Sequence, residues 1–278
     1  MKMTREEIIA SAEQFVENAS GNYVSEEAAL CPDYVGMRIF EAPIFAFGCV
    51  EDEIYSKFKE PGVIGGHFLS PSEWLPGAKT VVSVFLPYTE RIRAANSRDF
   101  EWPADEWLHG RYEGHLFIME LNRHIHKLIS DAGYECLIPG ADPRFSTSIA
   151  GAVGEAAKTG LTSNWSERHA AFACGLGTFG LSKGLITKKG TSGRFGSVLT
   201  DLDLEKDIRR YNEVYEYCTM CNVCIPNCPV CAITKDGKSD SLCSVFLNKV
   251  HDAHDPRYGC GKCQVKVPCE KMAPGLRA

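Results

Sequence analysis

The chain has 278 residues, room for one large domain and a small one, and its 44% hydrophobic and 24% charged content is that of a globular protein with a real core. A formal net charge of −6 leaves no basic excess to track a phosphate backbone, so nucleic acid is an unexpected partner. No apolar run approaches the ~20 residues of a membrane span, and the N-terminus MKMTREEIIASAEQF lacks the apolar stretch of a signal peptide, so the reading is of a cytoplasmic protein.

Thr4 and Glu7 form a capping box, and Ile8, Ile9, Ala12, Phe15 and Val16 follow at helical spacing, which predicts a first helix. Residues 31–73, rich in Gly, Pro and aromatics, read as loops with short strands. The β-branched run 80–86, ended by Pro87, predicts a buried strand. A helix is expected over 114–132, stopped at Gly133, then a strand over 134–138 closed by Pro139 and Gly140. Residues 166–174 read as a helix entering a glycine-rich turn. Strands are expected over 185–187 and 197–201, and the charged stretch 204–215 reads as a helix. The expectation is an α+β fold with a mixed sheet over residues 1–205, and a small metal-bound domain over 206–278.

Thirteen cysteines, an odd number, cannot all pair as disulfides, and nine of them follow residue 217. In a reducing compartment such clustering points to metal or catalysis. The central run is Cys218-x2-Cys221-x2-Cys224-x3-Cys228-Pro229. Two successive two-residue spacers wrap a loop around three corners of a [4Fe–4S] cube, and the fourth cysteine of such a run serves a second cluster. Zinc sites use separate CxxC pairs instead. Two full clusters need eight thiolates. The run supplies four, and Cys231, Cys243, Cys260, Cys263 and Cys269 offer one more than the remainder, so spacing alone leaves the partition open. Cys31, Cys49, Cys136 and Cys174 sit among apolar residues and read as structural thiols.

The order of motifs from about Trp165 onward resembles epoxyqueuosine reductases and the cobalamin-dependent reductive dehalogenases. The matching pieces are Gly175-Leu-Gly-Thr-Phe-Gly180, Gly184-Leu-Ile-Thr187, Phe195-Gly-Ser-Val-Leu-Thr-Asp-Leu202, the cysteine run, Cys243-Ser-Val-Phe-Leu, and Tyr258-Gly-Cys-Gly-Lys-Cys-Gln264. The resemblance implies a nitroreductase-like N-terminal domain that binds cobalamin and a ferredoxin-like domain with two clusters. It assigns Cys218, Cys221, Cys224 and Cys269 to one cluster and Cys228, Cys243, Cys260 and Cys263 to the other, with Cys231 the competitor of Cys269. It also implies an external electron donor of the ferredoxin or flavodoxin class, a small-molecule substrate and an anaerobic setting, with flavin as the alternative cofactor. Epoxyqueuosine reductases carry an aspartate six residues before a Glu-Arg pair. Here the pair is Glu167-Arg168 and the position six back is Leu161, which cannot donate a proton.

Gly175, Gly177 and Gly180 mimic a phosphate loop, but no predicted strand precedes them, so close backbone approach to a cofactor is the better reading. Arg168 and Arg194 are candidates for anion contacts. His67, His109 and His115 fall near Trp74, Trp102, Trp107, Tyr88 and Tyr112, a region that reads as packing or as a pocket wall. Asp252-x-His254-x-x-Arg257 lacks the final glycine of a base-off corrinoid motif.

Overall fold

The computed structural model describes residues 3–147 and 162–276. The capping box forms as expected: Glu7 N donates to Thr4 Oγ1 at 3.3 Å and Thr4 N to Glu7 Oε2 at 2.9 Å. It opens helix α1, Arg5–Asn18, whose Ile8, Ala12 and Val16 are buried. The sheet is built from β1 (Ile44–Cys49), β2 (Thr80–Pro87), β3 (Cys136–Leu137) and β6 (Gly193–Thr200), in the order β1-β2-β6-β3. Every pairing in it is antiparallel. The mixed sheet expected from the sequence is therefore corrected, while the α+β class stands. The sheet reached from either side by helices looks mixed in sequence because β2 is buried at all eight positions, without the in–out alternation of a one-faced strand.

On one face lie α1 and the long helix α5, Asp105–Asp131. The sequence placed the start of α5 at residue 114. It begins nine positions earlier because Gly110 and Gly114 are packing sites: a Cβ there would press on the rings of Tyr88 and Phe40. On the other face, α6 (Glu167–Cys174) packs against β1, β2 and β6 with an aromatic group that includes Phe58, Phe68, Trp74 and Trp165. Short helices α2 (Ile54–Phe58), α3 (Pro71–Trp74) and α4 (Glu90–Asn96) join these layers.

The stretch 204–215 is not helical, contrary to the sequence reading. It runs as an arm along β1 and α6, and its charges have fixed partners that a helix would withdraw. Asp207 N donates to Phe47 O and Asp207 Oδ2 accepts from Phe47 N, both at 2.8 Å, and Arg5 binds the same carboxylate at 2.8 Å. Arg209 pairs with Asp52 at 2.8 Å, and Tyr211 OH donates to Phe172 O at 2.5 Å.

Beyond the arm come the two-residue strands β7 (Ile233–Thr234) and β8 (Gly237–Lys238), helix α7 (Asp240–His254) and a turn, Lys262–Gln264. This region docks closely on the first. Val265 belongs to the main core, and the Lys262 ammonium donates to Asn96 O, Asn96 Oδ1 and Asp99 O at 2.9, 3.0 and 2.9 Å. Gly261 has φ 67°, and a Cβ on it would fall inside the Trp107 indole. Gly261→Ala is expected to lower unfolding free energy by about 3 kcal/mol, the sum of overpacking and left-handed strain. Urea denaturation checks it; a loss under about 1 kcal/mol would mean that the indole yields.

Candidate metal centre

Cys218, Cys221 and Cys224 lie on the loop that follows the arm, and Cys269 returns from the C-terminal end. All four line one pocket, walled also by Gly180, Leu181, Ile186, Met220 and Val267. Met220 and Asn222, between the cysteines, have φ 49° and 63°. Left-handed residues at alternate positions turn backbone N–H groups to one side and form a concavity suited to an anion, a device common at iron–sulfur sites.

Cys228 follows a turn closed by its N–H on Ile225 O at 3.1 Å. Cys243 sits in the first turn of α7, which Ser239 caps by accepting from Leu242 N at 3.3 Å. Cys260 and Cys263 come from the loop after α7. Cys263 feels the charges of Cys243 and Cys228, and Cys260 those of Cys263 and Cys243. Cys224 feels Cys263, so the two groups adjoin. Cys231 is exposed and lines a different pocket, with the β7–β8 hairpin. Of the two competitors, the structure places Cys269 with the first group and Cys231 outside it. Cys174 is buried, Cys31 and Cys136 are half-buried and Cys49 is exposed.

Burial pushes the Cys224 thiol up to about 11 and those of Cys260 and Cys269 up to about 12, with neighbouring thiolates adding to the rise. These groups are protonated at neutral pH unless metal displaces the proton, so loading releases acid. Among the described residues, no three His, Cys, Asp or Glu side chains close on a single ion. Zinc draws its sulfurs to about 2.3 Å from one centre, whereas a cube spreads its thiolates over separate corners. The all-sulfur donor set suits the larger group.

Beside the second cysteine group lies a set of basic side chains. Arg168 is exposed to solvent, yet desolvation lowers its pKa, followed by repulsion from Arg111. Arg194 and His115 behave alike: burial first, then nearby arginines, lower the arginine and bring His115 down to about 4. Arg194 donates to His115 Nδ1 at 2.8 Å, and Arg111 lies over the Tyr258 ring at 4.9 Å. Among the described residues, Arg111, Arg168 and Arg194 have no carboxylate within ion-pair distance. Burial works to discharge Lys238, but the thiolates of Cys263 and Cys243 outweigh it and hold its pKa above the usual lysine value. Sequence reasoning missed Arg111 and Lys238, and placed His115 in a region that reads as packing or as a pocket wall. The i, i+4 spacing of Arg111 and His115 was the available signal.

Glu167 opens α6, and Arg194 is among the charges that act on its carboxyl. Trp165 Nε1 donates to Ser197 Oγ at 3.1 Å, and Ser197 Oγ donates to Glu167 Oε2 at 2.6 Å. Burial nevertheless raises the carboxyl to about 7. An acid raised on folding stays protonated in the native chain after the unfolded one has ionised, so it removes stability as pH climbs from about 4.5 to about 7. Glu167→Gln should flatten that part of the stability profile, read by urea denaturation at pH 5 and 7. An unchanged slope would place the carboxyl near its ordinary value.

The glycines divide. Gly175 caps α6 at φ 96° against the Arg209 backbone. Gly177 lies in β4 (Gly177–Phe179), paired with β5 (Leu185–Thr187), where a Cβ would collide with the Ile186 carbonyl. Of the three, Gly180 lines the cysteine pocket. The block read as a turn is thus a strand in a tight hairpin. His67 bonds Thr162 and His109 bonds Glu113, while Trp74, Trp107 and Tyr88 pack in the cores. His254 accepts from Trp102 and Arg257 pairs with Glu113, so the corrinoid-like motif is engaged elsewhere. Leu161 lies outside the described residues.

No protein-family profile matches the chain. Epoxyqueuosine reductase of Vibrio cholerae serotype O1 is 31% identical over 120 residues, 39% of this chain and 31% of that protein. Over that segment the chain is similar to epoxyqueuosine reductase. Epoxyqueuosine reductase from Bacillus subtilis superposes with a TM-score of 0.52 at 17% identity, covering 84% of this chain and 62% of that one. A second, solved with an epoxyqueuosine-modified tRNA stem loop, gives 0.52 at 17% identity over 95% of this chain and 66% of its own. A catabolic reductive dehalogenase gives 0.50 at 16% identity, over 83% of this chain and 30% of its own. The chain thus spans less than two thirds of these relatives' lengths, and the structures share its fold. With a tRNA stem loop bound to one relative, the fold lends no support to the expectation against nucleic acid. Among the described residues no helix is long and apolar enough to cross a membrane.

Proposed function

We propose that the chain is a cytoplasmic iron–sulfur oxidoreductase. It takes electrons singly from a carrier of the ferredoxin or flavodoxin class and passes them through two [4Fe–4S] clusters to a cobalamin held by the basic side chains beside them, where a small substrate is reduced. The observation that supports this reading is the sorting of eight cysteines into two adjoining groups of four, one of them near Arg168 and Lys238.

Cys218, Cys221, Cys224 and Cys269 would hold one cluster, and Cys228, Cys243, Cys260 and Cys263 the other. Arg111 and Arg194 suit a large ligand with anionic groups, since cations without a carboxylate partner favour one strongly when partly desolvated. When bound, cobalamin would supply a cobalt centre able to deliver electrons to the substrate. The chain's part is to hold anionic groups with these arginines and to offer a proton. Glu167, still partly protonated at neutral pH, is the carboxyl placed to do so where Leu161 cannot.

The test is anaerobic purification with iron, sulfide and cobalt assays and a visible spectrum. The reading expects ~8 iron per chain with corrinoid bound or taken up. The same iron without corrinoid uptake would leave an electron carrier, or a flavin enzyme if a yellow chromophore is released on denaturation.

A further inference from the structure

The first cysteine group reaches the surface. Of the eight cysteines assigned to clusters, Cys221 alone is exposed. Met220 beside it is 42% exposed, with its sulfur 3.8 Å from Cys218 Sγ. The second group is set further in: Cys260 packs against the satellite core of Leu108, Phe246 and Val250, and its carbonyl accepts from Asn96 Nδ2 at 3.0 Å.

Lysines gather where Cys269 joins the first group. The turn after β5 is closed by Thr187 N on Gly190 O at 3.0 Å and Gly190 N on Thr187 O at 2.8 Å, and it carries the exposed Lys188 and Lys189. This turn lies against the Cys269 segment. Thr191 N donates to Cys269 O at 2.9 Å, Ser192 N donates to Glu270 O at 3.3 Å, and a Cβ on Gly190 would collide with the Glu270 carbonyl. Lys271 and Met272 follow directly, both exposed, and the exposed Lys266 precedes Val267 of the cysteine pocket. The neighbouring carboxylates are drawn inward: Glu41, Glu90 and Glu270 reach Arg93 at 3.2, 2.8 and 3.5 Å, and Glu270 also accepts from Lys266 N at 2.6 Å. Among the described residues no carboxylate lies within ion-pair distance of Lys188, Lys189, Lys266 or Lys271.

We infer that this surface, Lys188, Lys189, Lys266 and Lys271 with the exposed Met220 and Met272, is the docking site of an acidic one-electron carrier protein, which delivers its electron to the cluster held by Cys218, Cys221, Cys224 and Cys269. The inference rests on the proposed two-cluster reading and gives its carrier a place and a charge. A chain of net charge −6 repels an acidic partner over most of its surface, so a local island of unpaired lysines decides where that partner lands. Methionine is soft and adaptable, which suits a contact that must form and part at every turnover. A phosphate backbone would use the lysines but has no use for two exposed methionines. Electron transfer slows steeply with distance, and here the lysine turn is hydrogen-bonded to the backbone of a cluster ligand. One electron leaves the carrier, and the cluster passes from 2+ to 1+.

The experiment is anaerobic stopped-flow mixing of the iron-loaded full chain with an acidic flavodoxin in its anionic hydroquinone form, which gives one electron and becomes the neutral semiquinone. The wild type is compared with the double variant Lys188→Glu, Lys189→Glu. The control is Lys79→Glu, Lys127→Glu, which changes net charge equally at the other end of the sheet: Lys79 N donates to Thr200 O at 2.8 Å, at the end of β6 away from Gly193. At low salt the Lys188, Lys189 variant should be reduced on the order of tenfold more slowly, and the control less than about twofold. The wild-type rate should fall with added salt and the variant's should fall less. Excess dithionite should bleach all three chains to the same extent, which shows the clusters intact. A wild-type rate indifferent to salt, or equal slowing in both double variants, would overturn the inference. Loss of binding to a tRNA stem loop in the Lys188, Lys189 variant, with its flavodoxin rate unchanged, would give the surface to nucleic acid and overturn it too. Iron well below ~8 per wild-type chain would instead remove the two-cluster reading beneath it.

Discussion

Cys269→Ala costs the chain one of its two four-iron signals, while Cys231→Ala leaves both. Iron falls from ~8 per chain to ~7 if the first cube survives with three irons, and to ~4 if it is lost. The two cysteines were equal competitors by sequence, because the five-residue gap between Cys263 and Cys269 is long and Cys231 lies only three residues after Cys228. Geometry separates them. Cys269 lines the same pocket as Cys218, Cys221 and Cys224, and the three are its nearest charge neighbours. Cys231 is turned outward at φ 49°, its N–H bonded to Cys228 O at 3.1 Å. The segment carrying Cys269 is also tied down: Thr191 N donates to Cys269 O at 2.9 Å, and Glu270 N to Val267 O at 2.9 Å. To swap in Cys231 would require unwinding its turn and vacating a fixed thiol. Full iron in Cys269→Ala together with loss in Cys231→Ala would reverse the assignment.

How far the site could be read from sequence follows from the range of each interaction. The run 218–228 was legible because a cube needs its thiolates within one loop's reach, and spacing along the chain encodes that directly. The capping box at Thr4 and the β-branched run of β2 are likewise local. What failed was non-local. The arm 204–215 has the charge pattern of an exposed helix, but Phe47, Asp52 and Arg5 claim its polar groups, and those partners lie some 150 residues away or more along the chain. The extra turns of α5 were hidden because Gly110 and Gly114 weaken helix propensity, by roughly 1 kcal/mol each, while admitting Tyr88 and Phe40. The basic side chains beside the cysteines come from a helix (Arg111), a strand (Arg194) and a hairpin (Lys238), so no window of sequence contains them. The curated relative matches only 120 residues of the chain, so such tertiary signals are what a divergent chain adds to its resemblance.

Removing the metal should melt one part of the chain and spare another, and the boundary runs inside the cysteine region. Residues 216–250 have little else to hold them: two strands of two residues, one helix, a satellite core whose buried members are Leu108, Phe246 and Val250, and the buried Tyr217, Ala232 and Ile233. That small apolar reserve does not offset the loss of four or more thiolate bonds there. Residues 261–267 differ. Lys262 is clamped by three hydrogen bonds to Asn96 and Asp99, Val265 is fully buried in the main core, and Ser192 Oγ donates to Gln264 O at 2.5 Å. Anaerobic chelation followed by hydrogen exchange is the measurement. Amides of 216–250 should lose protection by about a hundredfold or more, a modest fraction of the ~10 kcal/mol that a structural metal can contribute. Amides of β1, β2 and β6 should keep theirs, and those of 261–267 should fall between. A uniform loss would mean that the clusters hold the whole fold. No loss in 216–250 would mean that the loops close without iron, and that the thiolates serve electron transfer alone.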